Sequence, residues 1–167
     1  MDTMHRVFLF GSRDVAGMPD VVVAHLKSIL DQTGGNVEFI VGDASGIDAS
    51  FHKALSSIGA ASKTTVYCMD TPRSNRYDLK TKVFNTEYDP DTKKLVISNE
   101  GTVLLTLDNI EKPEDITYNR EYYEFKDRQM RKDCTFAICI WDGKSKGTFN
   151  NINGLKILDR YVYVYRV

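Results

Sequence analysis

Residues 134–148 read CTFAICIWDGKSKGT. The apolar run 134–141 stops at Asp142, and a basic, glycine-containing turn leads at once into KGTFNNINGLKILDR (146–160), which reads as a helix. A continuous apolar run of this kind, bounded by turn residues, reads as a strand buried on both faces. A buried strand that passes through a short turn into a helix is half of a βαβ unit, so the stretch points to a parallel sheet.

The same grammar recurs upstream. HRVFLF (5–10) is a short apolar run ended by Gly11, and 18–32 carries Val21, Val22, Leu26, Ile29 and Leu30 at helical spacing before TGG stops it. VEFIV (37–41) is a second strand, followed by DASGIDASFHKALSSIG (43–59), a capped amphipathic helix, and TTVYCM (64–69) is a third strand. Short buried strands separated by helices predict an α/β fold, a Rossmann-like three-layer sandwich around a mainly parallel sheet. The alternation breaks over 70–118, where KVFNTEYDPDTKKLVIS (82–98) alternates around Asp89-Pro90-Asp91 and TVLLTLDN (102–109) offers a further strand. This region is expected to be an inserted β-rich hairpin region, a subdomain or lid, because a structureless loop of that length is rare in a compact domain. REYYEFKDRQMRKD (120–133) returns to a helical pattern, and YVYVYRV (161–167) reads as a closing strand.

Composition sets the outer bounds. A chain of 167 residues, 42% hydrophobic and 27% charged, fits one soluble globular domain spanning 1–167. The formal net charge is −1, which argues against a nucleic-acid partner and requires any anion site to be local. No apolar run approaches the roughly 20 residues that span a bilayer, so no membrane partner is expected. Cys68, Cys134 and Cys139 match no disulfide or zinc spacing and read as reduced core residues, which places the chain in the cytoplasm. His5, His25 and His52 are scattered, so no metal and no further cofactor are expected.

Three strand ends carry polar turns with glycine that lead toward helices: Gly11-Ser12-Arg13-Asp14, Gly42 to Asp48, and Asp142 to Thr148. Glycine lets the backbone approach a ligand, and a helix N-terminus favours phosphate. In an open parallel sheet such turns meet where strand order reverses. The Gly-Lys-Ser at 143–145 is not a nucleoside-triphosphate loop, since GxxxxGK[ST] would need glycine at the position held by Ile138. A GxGxxG fingerprint is missing at Gly11 as well.

VFLFGSRD (7–14), VEFIVGDASGIDASFHKAL (37–55) and KDRQMRKDCTFAICIWDGKSKGT (126–148), in that order, resemble the SLOG superfamily of Rossmann-like nucleotide-binding domains. The pattern is most similar to its small YspA-like branch, and more distantly to the LOG phosphoribohydrolases and the DprA proteins. The resemblance covers 5–69 and 120–158. It implies that the first and fourth core strands flank the switch point, bringing Gly11, Ser12 and Arg13 beside Gly143, Lys144, Ser145, Lys146, Gly147 and Thr148. Gly42, Ala44, Gly46 and Asp48 match a GGAxGxD pattern in which Asp43 replaces the second glycine. Lys126 falls where these families place a basic residue ahead of the helix methionine, here Met130. Three positions after Thr148, where hydrolytic relatives carry glutamate, Asn151 stands, which turns the site toward binding.

The resemblance therefore implies a nucleotide or nucleotide-derived small molecule as partner, held as by a sensor or sequestering module. A second reading is an enzyme acting on the N-glycosidic bond of nucleotides or nucleosides, which needs a carboxylate near the ribose. Its candidates are Asp14, Asp43, Asp48, Glu124, Asp127 and Asp142, with Asp142 best placed at the mouth of the last glycine turn and Glu124 ahead of Lys126 on the helix. A third is a homo-oligomeric interaction module built on the insertion and the apolar edge YVYVYRV, with a vestigial pocket.

Overall fold

The computed structural model of the chain describes residues 4–72, 76–112, 114 and 120–167. Eight strands form one sheet in the order β6-β5-β4-β3-β2-β1-β7-β8. Strands β1 (His5–Gly11), β2 (Val37–Val41), β3 (Thr64–Met69), β7 (Phe136–Trp141) and β8 (Tyr161–Arg166) are parallel neighbours. From β1 the chain steps outward through β2 and β3, then returns to place β7 on the opposite side of β1. The order therefore reverses at β1/β7, which is the switch point the turn pattern required.

Among the described residues, four α-helices complete a three-layer α/β sandwich. Helices α1 (Asp20–Gln32) and α2 (Ile47–Ser57) bury Val22, Leu26, Ile29, Ile47, Phe51 and Leu55 against Val7, Leu9, Phe39, Val41 and Ile138 on one face. Helices α3 (Arg120–Asp133) and α4 (Lys146–Ile157) bury Phe125, Met130, Ile152 and Leu155 against Phe8, Phe10, Ile40, Ala137 and Cys139 on the other. Alternate residues of β1 thus serve opposite layers, as the period-2 geometry of a strand demands. The three cysteines are buried free thiols, and burial pushes the Cys139 thiol up to about 12, so none is poised as a nucleophile.

Two expectations change in detail. The apolar run at 134 enters the sheet only at Phe136: Cys134 N–H still bonds the Met130 carbonyl, and Thr135 N–H bonds the Arg6 carbonyl, so these residues close α3 and turn the chain. The strands described within the inserted region 70–118 continue the central sheet. Strand β4 (Lys80–Asp89) lies parallel to β3, and β5 (Lys94–Asn99) and β6 (Thr102–Leu107) follow antiparallel. The reason is apolar continuity: Phe84 and Ile97 join the α3/α4-side core, and Leu95, Leu107 and Ile110 form a small cluster beside it. Positions 73–75, 113 and 115–118 of this region lie outside the described residues.

Candidate functional site

The ends of β1, β2, β3 and β7 open into one cavity of about 870 Å³, bounded by α3 and by the start of α4. Its size lies within the range of small-molecule sites. Gly11, Arg13, Gly42, Ala44, Asp48, Lys126, Asp142, Lys144, Ser145, Gly147 and Thr148 all line it, so residues far apart in sequence converge as the three turns required. Ser12, Gly46, Gly143, Lys146 and Glu124 do not line it.

Ser12 and Gly46 have structural work instead. Ser12 is fully buried; its hydroxyl donates to Asp142 Oδ1 and accepts from the Asp142 N–H, both at 3.1 Å, stitching the β1 turn to the β7 turn. Gly46 has φ +82°, and a Cβ there would lie 2.8 Å from the Arg13 carbonyl oxygen, so only glycine lets the β2 turn sit on the β1 turn. Lys146 is exposed outside the cavity, and Glu124 pairs with Arg128 one turn on, at 3.4 Å.

Asp142, put forward from sequence as a catalytic carboxylate, also anchors its own turn. Its Oδ1 accepts the Lys144 N–H at 2.8 Å, the Ser145 N–H at 2.9 Å and the Ser12 hydroxyl. The two backbone donors, chiefly, hold its carboxyl below the ordinary carboxylate range. The N–H groups of Lys144 and Ser145 are therefore spent within the protein. Ser145 then caps α4, accepting from the Thr148 N–H at 3.4 Å and its hydroxyl at 3.1 Å. What remains for an anion at this end is the first turn of α4 at Lys146 and Gly147, whose N–H groups have no acceptor within the helix. Gly147 faces the cavity with open space where a Cβ would stand. Arg13 and Lys144, both exposed, add positive charge at this rim.

The middle of the cavity is built over Gly42. A Cβ on Gly42 would lie 2.6 Å from Asp48 Oδ2 and 3.3 Å from Lys126 Nζ, so the bare glycine is what admits both side chains. Asp48 Oδ2 accepts the Ala44 N–H at 3.1 Å, and buried His52 bonds the Gly42 carbonyl through Nε2 at 2.9 Å. Burial pushes the Asp48 carboxyl up, opposed by the charge of Lys126. Asp127 behaves alike: burial raises it, while Lys126 and Arg131 pull it down. Asn151, buried in α4, accepts from Arg131 Nη1 at 2.6 Å and turns its amide N–H to Asp127 Oδ2 at 3.5 Å. Position 151 thus carries an amide oriented by an arginine. The end at β3 is lined by Met69 and Thr71, with Tyr122 of α3 near them, while Phe8 and Phe10 of β1 and Met130 of α3 add apolar lining to the cavity.

Asp43 and Asp127 were among the carboxylate candidates of the sequence, and Asn151 was singled out there by its spacing from Thr148. Thr71 and the cavity-facing side of Met69 carried no signal there, because neither belongs to a turn or motif. Among the described residues no three His, Cys, Asp or Glu side chains are grouped to hold a metal ion, and no helix is long and apolar enough to cross a membrane. Compared with family models, with curated proteins and with solved structures, the chain matches none.

Proposed function

We propose that this protein binds a nucleotide or a nucleotide-derived phosphate ligand across the carboxyl ends of its sheet. The observation that carries the reading is the polarity of the cavity at the switch point. A helix N-terminus with Arg13 and Lys144 forms one end, and the carboxyls of Asp48 and Asp127 flank Lys126 in the middle. The first suits phosphate oxygens; the second suits hydroxyl donors such as those of a ribose. Asp43, buried at the β2 turn, disfavours phosphate there and leaves the α4 end as the anion seat. The ordered resemblance of the three turns to SLOG domains supports the same ligand class.

The test is a thermal-shift series with nucleoside mono- and diphosphates. At a hundredfold excess over Kd, ligation stabilises by about 2.7 kcal/mol, which raises Tm by roughly 5–10 °C for a chain of this size. No shift with any nucleotide overturns the reading.

A second reading, hydrolysis or transfer at an N-glycosidic bond, draws on one observation: two carboxyls pushed up by burial share a cavity with a lysine. Asp48 and Asp127, rather than Asp142 and Glu124, are then the groups to test. Release of free base from nucleoside monophosphates, abolished in Asp127→Asn, would favour it. Self-association is a separate proposal, supported by β8, an edge strand exposing Tyr161, Tyr163 and Val164 beside Ile157 and Leu158.

A further inference from the structure

We infer that the β3 end of the cavity is the seat of a planar heteroaromatic base, and that the β4–β6 extension exists to hold that seat in place. The inference rests on the phosphate-ligand reading above and adds the part of the ligand that distinguishes a nucleotide from a sugar phosphate.

The lining of the cavity changes character along its length. At β7 and α4 it carries Lys144 and the open first turn of the helix; over β2 it is carboxylate and lysine; at β3 it is Met69 and Thr71, with Tyr122 of α3 close to the neighbouring Asp70. Neighbouring strands are about 4.8 Å apart, so β7 and β3, three places apart in the sheet, put the two ends roughly 14 Å from each other. Phosphate, ribose and base occupy that sequence of environments in order. Aromatic and thioether surfaces offer flat, polarisable contact to a ring and no partner to a second phosphate. Thr71 supplies an exposed hydroxyl at the edge of the seat.

The extension fixes both walls. Met69 pairs with Phe84 of β4, and the next residue, Asp70, is tied to the same strand: its N–H bonds the Phe84 carbonyl at 2.8 Å. The Asp70 carboxylate in turn accepts the Thr86 N–H at 2.8 Å and the Thr86 hydroxyl at 2.8 and 2.9 Å. Tyr122, in the first turn of α3, packs against the cluster Leu95, Leu107 and Ile110 of the extension and against the main α3-side core. Without β4 to β6 the exit of β3 would be a free loop, and Tyr122 would lose the apolar surface beneath it.

The experiment compares inorganic phosphate, ribose 5-phosphate and the four common nucleoside 5′-monophosphates by titration calorimetry, on the parent and on Tyr122→Leu and Tyr122→Phe. The expected result is at least one nucleotide binding about tenfold or more tighter than ribose 5-phosphate, the factor that stacking of one base supplies. Tyr122→Leu should lose that advantage and Tyr122→Phe should keep it, with ribose 5-phosphate unchanged in both. Should Tyr122→Leu fail to fold by circular dichroism, Thr71→Trp, which fills the seat from an exposed position, should remove the same advantage. Ribose 5-phosphate binding as tightly as every nucleotide overturns the base seat and leaves the phosphate reading standing. A nucleotide advantage that survives Tyr122→Leu or Thr71→Trp also overturns it. Failure of all the ligands to bind overturns both.

Discussion

Ser12 and Asp142, 130 residues apart in sequence, exchange two hydrogen bonds of 3.1 Å: the serine hydroxyl donates to the carboxylate and accepts from the aspartate N–H. This pair closes the crevice between β1 and β7 at its base and sets the distance between the first and last glycine turns. Ser12→Ala should leave the Asp142 N–H without its partner, costing about 1–3 kcal/mol, a fall of roughly 2–4 °C in Tm per kcal/mol. Asp142→Ala should cost more than Ser12→Ala, because it also frees the Lys144 and Ser145 N–H groups. Equal Tm values for the two variants would show that Asp142 does not organise the turn.

Gly46 and Gly42 should separate stability from binding. Gly46→Ala places a Cβ 2.8 Å from a backbone carbonyl at φ +82°, so a loss of about 2 kcal/mol or more is expected in urea denaturation. Gly42→Ala meets side-chain tips rather than backbone, Asp48 Oδ2 at 2.6 Å and Lys126 Nζ at 3.3 Å. It should cost less stability than Gly46→Ala and weaken ligand binding, read as a reduced thermal shift.

Gly147→Ala adds a methyl group where nothing lies within 4 Å. Replacing an α4 glycine should stabilise the apo protein by roughly 0.5–1 kcal/mol. The same methyl group faces the proposed phosphate seat, so affinity for ribose 5-phosphate should fall about tenfold or more, equivalent to about 1.4 kcal/mol. Unchanged affinity would remove the α4 N-terminus from the site.

The buried carboxyls set a pH dependence. Asp48 and Asp127 are raised above their unfolded values by burial, so the stability each contributes is fully present below the usual carboxylate pKa and lost as pH rises through its raised folded value. Asp142 is lowered, so its contribution is present above the usual value and lost in acid. Asp127→Asn should therefore raise the apo Tm at neutral pH and flatten the decline of stability between mildly acidic and neutral solution. A lower Tm at pH 7 would show that Lys126 and Arg131 outweigh the desolvation of Asp127.

The β8 edge gives a prediction about assembly. Val164→Lys introduces a charge on an exposed edge position, a device that blocks strand-to-strand pairing. Sedimentation should show the parent as a dimer or larger and the variant as a monomer with unchanged secondary structure. A monomeric parent would withdraw the self-association proposal.

Much of the fold was legible because its signals are local. Val37–Val41 and Thr64–Met69 were bounded to the residue, since each is a short β-rich run between turn residues. The convergence of the Gly11, Gly42 and Gly143 turns was legible as well, because consecutive βα turns must lie at one end of a parallel sheet. The joining of β4 to β3 was not, since a parallel strand pair leaves no mark in either sequence until the register forms. The anchoring role of Asp142 was hidden for a related reason: an acid before a glycine turn looks like a catalytic group or a turn anchor alike, until its hydrogen-bond donors are placed.

The sequence by itself determined the elements, their order and the three glycine turns, because periodicity and turn chemistry act over a few neighbouring residues. Only the tertiary structure decided which polar groups face the cavity and which hold the turns: Ser12, Gly46 and Asp142 are occupied in building it, while Asp127, Asn151 and Tyr122 border it. That division depends on contacts between residues tens to over a hundred positions apart, and on the burial they create.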